Sequence, residues 1–122
     1  MVSMRPLFDY KTCRVLSLVW MAIIFLLSSI PRLSAPSLFS GQDKLIHFVI
    51  FGILGFLFAH SFKPGGGKVP FFRALLITLM VAVYGGFDEI HQYFIPGRVA
   101  SMGDVAADTA GGFLAAIIFW KN

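Results

Sequence analysis

"LIHFVIFGILGFLFAHSF", residues 45–62, runs for 18 residues without an Asp, Glu, Lys or Arg. That length and character match the ~17–25 apolar residues a helix needs to cross a bilayer. Three further runs read the same way. "VLSLVWMAIIFLLSSI" (15–30) is closed by Pro31, and "FFRALLITLMVAVYGGF" begins at Phe71 and continues to about residue 90. "VAADTAGGFLAAIIFW" occupies 105–120, and the flexible "KPGGGK" (63–68) separates the second run from the third. The expected fold is therefore all-α, an integral membrane four-helix bundle. Its spans lie near 15–30, 45–62, 71–90 and 105–120, in one domain covering 1–122.

Composition agrees. Of the 122 residues 57% are hydrophobic and only 13% charged, against about 25% charged in a soluble domain. Mean hydropathy is +0.81. The chain carries a net charge of +4, but its basic residues are scattered rather than interleaved with aromatics, which argues against nucleic acid as a partner. The single Cys13 has no internal disulfide partner and reads as a structural thiol. Arg5, Lys11 and Arg14 precede the first apolar run as they would in a signal peptide. The Ser-Ala-Pro at 34–36 is an unconvincing cleavage site, so an uncleaved span is expected.

Lys and Arg in short loops set orientation. Arg5, Lys11, Arg14, Lys63, Lys68, Arg73 and Lys121 fall on one side, whereas Arg32, Lys44 and Arg98 fall on the other. Both termini are accordingly expected to be cytoplasmic. Asp43, Asp88, Glu89, Asp104 and Asp108, five of the six acidic residues, then share the outer end with His47, His91, Gln92 and Arg98. The convergence of three separate polar segments on one end of an apolar bundle is the strongest functional signal in the chain.

Each segment has a plain reading beside a functional one. In "DKLIHF", Asp43 and His47 stand i,i+4 on one helix face. Asp43 suits a helix N-terminus and Lys44 can reach the interface, but His47 lies a turn inside the boundary, where an ionisable side chain needs a partner or a wet cavity. In "FDEIHQYF", Asp88, His91 and Gln92 form a stripe near a helix C-terminus. The dipole there disfavours Asp88 and Glu89, so a positive group (Arg98, Lys44, a charged His or a metal ion) is expected to compensate. "IPGR" signals a turn at Pro96-Gly97. Arg98 suits either a phosphate or a salt bridge to Asp88 or Glu89. Ser101 to Asp104 has the spacing of a capping box, which accounts for both residues. Asp108, a turn further in, is expected to meet His47, His91 or Arg98. The small residues Ala106 with Ala110 and Ala107 with Gly111 read as close-packing pairs.

"DKLIHF", "DEIHQYFIPGR" and "SMGDVAADTAGG", in this order across residues 43–112, resemble the VanZ-like family of small bacterial membrane proteins. The family's characteristic polar residues correspond to Asp43, Lys44, His47, Asp88, Glu89, Gln92, Arg98 and Asp104. His91 is common in that pattern, and Asp108 departs from it, since the family more often has Asn there. The resemblance implies a multi-pass protein of the bacterial plasma membrane associated with the cell envelope, in a family whose founding members are linked to low-level teicoplanin resistance.

Three functional readings stay open at this point. In the first, an outward-facing pocket binds a lipid head group, a lipid-linked cell-wall precursor or a glycopeptide, with Lys44, Gln92 and Arg98 as ligand-binding residues and membrane lipids as neighbours. In the second, an intramembrane hydrolase or transferase acts on a lipid-linked (pyro)phosphate. Asp88, Glu89, His91 and His47 are then the catalytic candidates. Asp43, His47, Asp88, Asp104 and Asp108 would hold a divalent metal ion as cofactor. In the third, the polar residues only tie the helices together.

Overall fold

The structure, a computed structural model, describes residues 9–31, 39–62 and 70–119. Among them are four helices: α1 (Tyr10–Ser28), α2 (Gln42–His60), α3 (Pro70–Tyr93) and α4 (Met102–Phe119). Each is long and apolar enough to cross a membrane. The all-α, four-span architecture read from the sequence is the one the chain adopts. Arg5, Arg32, Lys63, Lys68 and Lys121, which carry part of the orientation reading, lie outside the described residues, as does the Gly-rich loop.

The helices extend past the apolar runs because polar residues complete their ends. α1 starts five residues before Val15. Asp9 caps it by accepting the Thr12 N–H at 2.6 Å, and that bond holds its exposed carboxyl below the usual range. α3 runs on through "DEIHQY" and closes with the tighter bonds Phe94 N–H to His91 O and Ile95 N–H to Gln92 O. A turn follows. Pro96 fits its second position, Gly97 takes φ 77° at the third, and Arg98 N–H returns to Ile95 O at 3.1 Å. This short turn brings α4 back alongside α3.

α2 and α4 form the closest pair, and glycine makes the approach possible. A Cβ on Gly111 would collide with the Phe48 carbonyl oxygen, and one on Gly55 would stand 3.0 Å from the Gly112 Cα. Gly112 faces Val81 of α3 equally tightly, at 2.7 Å. Lipid offers no hydrophobic drive for helices to associate, so such close backbone packing supplies much of the attraction. Of the small pairs read from the sequence, Ala107/Gly111 lies on this inner side, whereas Ala106 and Ala110 are exposed. The shared core behind the glycines contains Ile24, Phe51, Leu54, Phe58, Ile77 and Val81.

α1 is attached differently, chiefly by side chains that bond backbone carbonyls. Arg14 Nε donates to Ser61 O at 2.8 Å and Trp20 Nε1 to Ile50 O at 3.0 Å, while Tyr84 Oη donates to Met21 O at 2.6 Å. Large apolar side chains such as Leu18, Leu26, Phe71, Leu79 and Val83 point outward. In water that surface would be a liability, but against acyl chains it is the expected exterior.

Candidate functional site: a histidine enclosed by carboxylates

The C-terminal ends of α1 and α3 and the N-terminal ends of α2 and α4 meet at one end of the bundle, and His47 stands among them. Its Nδ1 lies 2.8 Å from Asp108 Oδ1, and its Nε2 lies 3.7 Å from Asp104 Oδ2. Asp108 is fully enclosed, at 0% exposure, and Asp104 is nearly so. Asp108 fits there because position 85 is glycine: a Cβ at Gly85 would come within 2.8 Å of Asp108 Oδ2. Of the three partners expected for Asp108, it meets His47.

Lys44 reaches across from α2 to Asp104 Oδ1 at 2.7 Å and also pairs with Asp43 Oδ2 at 3.1 Å. Gly103 makes room for it, since a Cβ there would stand 2.9 Å from the Lys44 Cε. Asp43 itself is partly exposed, at the rim.

Asp88 and Glu89 are buried. His47 is one of the positive groups expected to compensate them at the α3 C-terminus, and neutral donors add to it. Asp88 Oδ1 accepts the Ser28 hydroxyl, and Asp88 Oδ2 accepts the Gln92 amide at 3.1 Å. Glu89 Oε2 accepts the Ser101 N–H at 2.7 Å, placing the carboxylate at the positive end of the α4 dipole.

This last bond revises the capping-box reading. Ser101 does cap α4, its Oγ accepting the Gly103 N–H at 3.0 Å. The reciprocal acceptor for the Ser101 N–H, however, is Glu89 of α3 and not Asp104. Asp104 is thereby released to face Lys44 and His47, so the bland account that covered both residues holds for Ser101 alone.

Two expected site residues also make contacts to α1. His91 stacks on Phe25 with ring centroids 4.2 Å apart, and its Nε2 meets Ser29 Oγ at 2.7 Å, on the α1 side. Arg98 donates from Nε to Ile30 O at 3.0 Å and from Nη2 to Leu27 O at 2.6 Å, closing the C-terminal end of α1. Its guanidinium suits that role because it carries several donors in a fixed fork. Ser28 was not anticipated. The only signal for it in the sequence is the "SS" that ends an apolar run, one hydroxyl of which turned out to face Asp88.

Among the described residues, three cavities adjoin the cluster: a mostly apolar one of about 480 Å³ lies beside Glu89 and Ser101, and two more share a wall. One, of about 180 Å³, is lined by Lys44, Val99, Ser101 and Asp104; the other, of about 230 Å³, has an apolar wall of Ile24, Leu27, Ile30, Ile46, Ile50 and Phe51 between α1 and α2. Asp43, His47, Gln92 and Arg98 line both.

Fold and site together define a four-span helical membrane protein with a His–carboxylate cluster enclosed at one end of its bundle. The chain belongs to the VanZ/LLP1 family, whose model matches residues 13–121. Comparison with curated proteins and with solved structures gives no match.

Proposed function

We propose that this protein binds a phosphate-bearing lipid of the bacterial cell envelope at the outer side of the plasma membrane. The observation that carries the reading is the pair of cavities that share a wall at His47, Gln92, Asp43 and Arg98. One is polar and holds an ammonium in position, because Asp43 and Asp104 fix Lys44. The other has one apolar wall in the seam between α1 and α2, the helix pair joined by side-chain hydrogen bonds rather than by glycine contacts, and a polar wall that includes Ser28 and Asp88. An amphiphile suits this arrangement, its head group beside Lys44 and the first part of its chain in the seam. The polar cavity, of about 180 Å³, has room for a phosphate and a few waters.

The test uses full-length protein in nanodiscs, with native mass spectrometry of retained lipid. A polyprenyl phosphate should be retained about tenfold better than the polyprenol of the same length, since a charge-assisted contact contributes about 1.5–3 kcal/mol. Ile46→Trp, which fills the seam from its lipid side, should reduce retention of the phosphate. Equal retention of the two lipids, or no effect of Ile46→Trp, would overturn the reading.

A further inference from the structure

We propose that His47, Asp88 and Glu89 form a divalent-cation site, with Asp108 as the residue that orients the histidine. One ring nitrogen of His47 and one carboxylate oxygen each of Asp88 and Glu89 lie within 4.8 Å of one another. These residues come from α2 and from consecutive positions of α3, so the site exists only once the helices are packed.

A second observation points to a ligand among them. Glu89 is 5% exposed, and its Oε1 is buried without a hydrogen-bond partner. A buried carboxylate oxygen left in that condition costs about 1–3 kcal/mol or more, and buried polar atoms are almost always satisfied. Glu89 Oε2 is fixed by the Ser101 N–H, which holds Oε1 in place as a ligand.

The surroundings have the form that supports metal ligands. His47 Nδ1 faces Asp108 Oδ1 at 2.8 Å. With the proton on Nδ1, the carboxylate accepts it and leaves the Nε2 lone pair for the ion. Asp88 is steadied by Ser28 and by Gln92. Lys44 pairs with Asp43 and Asp104 at the rim of the cluster. One imidazole with two carboxylates is a hard, oxygen-rich set that suits Mn²⁺ or Mg²⁺ better than soft metals. Where a lipid phosphate occupies the neighbouring cavity, the ion would bridge it to the carboxylates. That extension rests on the binding reading above, whereas the cation site itself does not.

The test is titration of the nanodisc protein with Mn²⁺, followed by electron paramagnetic resonance. Wild type should bind one Mn²⁺ per chain, and pulsed measurements on ¹⁵N-histidine protein should show coupling to an imidazole nitrogen. Glu89→Gln should weaken Mn²⁺ at least tenfold, and Asp108→Asn, which acts through His47, by about 10–100-fold. Absence of Mn²⁺ binding to wild type, or binding without nitrogen coupling, would overturn the site whatever the variants do. Mn²⁺ bound with no preference for polyprenyl phosphate would support the site and sink the lipid reading. Phosphate-lipid retention indifferent to chelator, with no Mn²⁺ bound, would do the opposite.

Discussion

Glu89 shows how much a single side chain can decide here. It completes the cap of a helix that is not its own, and in doing so leaves Asp104 to pair with Lys44 and to stand 3.7 Å from His47 Nε2. Asp108 is the other decisive residue, since it holds one nitrogen of His47 from a position that water does not reach. Asp108→Asn keeps an acceptor oxygen at nearly the same place, so thermal unfolding in detergent should shift little. Asp108→Leu removes the acceptor and leaves His47 Nδ1 unpaired, which should cost about 1–3 kcal/mol and lower the midpoint clearly. Equal midpoints for the two variants would mean that the His47–Asp108 bond does not hold the bundle together.

At the scale of elements, two kinds of attachment coexist. α4 is pressed onto α2 and α3 through Gly55, Gly111 and Gly112, where an added methyl group would press into a neighbouring backbone or a stiff valine. α1 is held by hydrogen bonds that average about 0.6 kcal/mol each in membranes. Gly111→Ala should therefore destabilise the protein by about 1–3 kcal/mol, because neither helix backbone can yield locally. Gly86→Ala is the matched control. Nothing lies within 4 Å of its added Cβ, so it should be neutral or stabilise α3 by up to about 1 kcal/mol. Thermal scans of the two variants check this, and a wild-type midpoint for Gly111→Ala would contradict the glycine account. The looser attachment of α1 also places the most separable seam of the bundle beside the apolar cavity.

For the whole molecule, the central question is which side of the membrane the cluster faces. The distribution of basic residues in the sequence predicts the outer side. Val99 follows the turn at that end and is 76% exposed, and the native Cys13 is fully buried. Val99→Cys should consequently react with a membrane-impermeant maleimide on intact cells, over a silent wild-type background. Labelling only after lysis would invert the orientation and place the cavities on the cytoplasmic side.

The number of spans, their approximate limits and the gathering of polar residues at one end were legible in the sequence. Apolar run length and loop charge are local properties, and the bilayer converts them directly into topology. "DKLIHF", "DEIHQ" and "SMGDVAAD" also named nearly every member of the cluster. Which of these residues meet was not legible. Asp108 reaches His47 across 61 positions and Ser28 reaches Asp88 across 60. Both pairings depend on how far each helix is rotated about its axis, and four runs apolar on most sides leave that rotation undetermined. Glycine contacts fix it, and only then does His91 turn toward Phe25, Arg98 toward the end of α1, and Glu89 toward the first turn of α4. The sequence by itself determined that a polar cluster exists and where along the helices it lies. Close packing of the helices decided its partners, because a hydrogen bond depends on direction and distance across the bundle, which spacing along the chain does not specify.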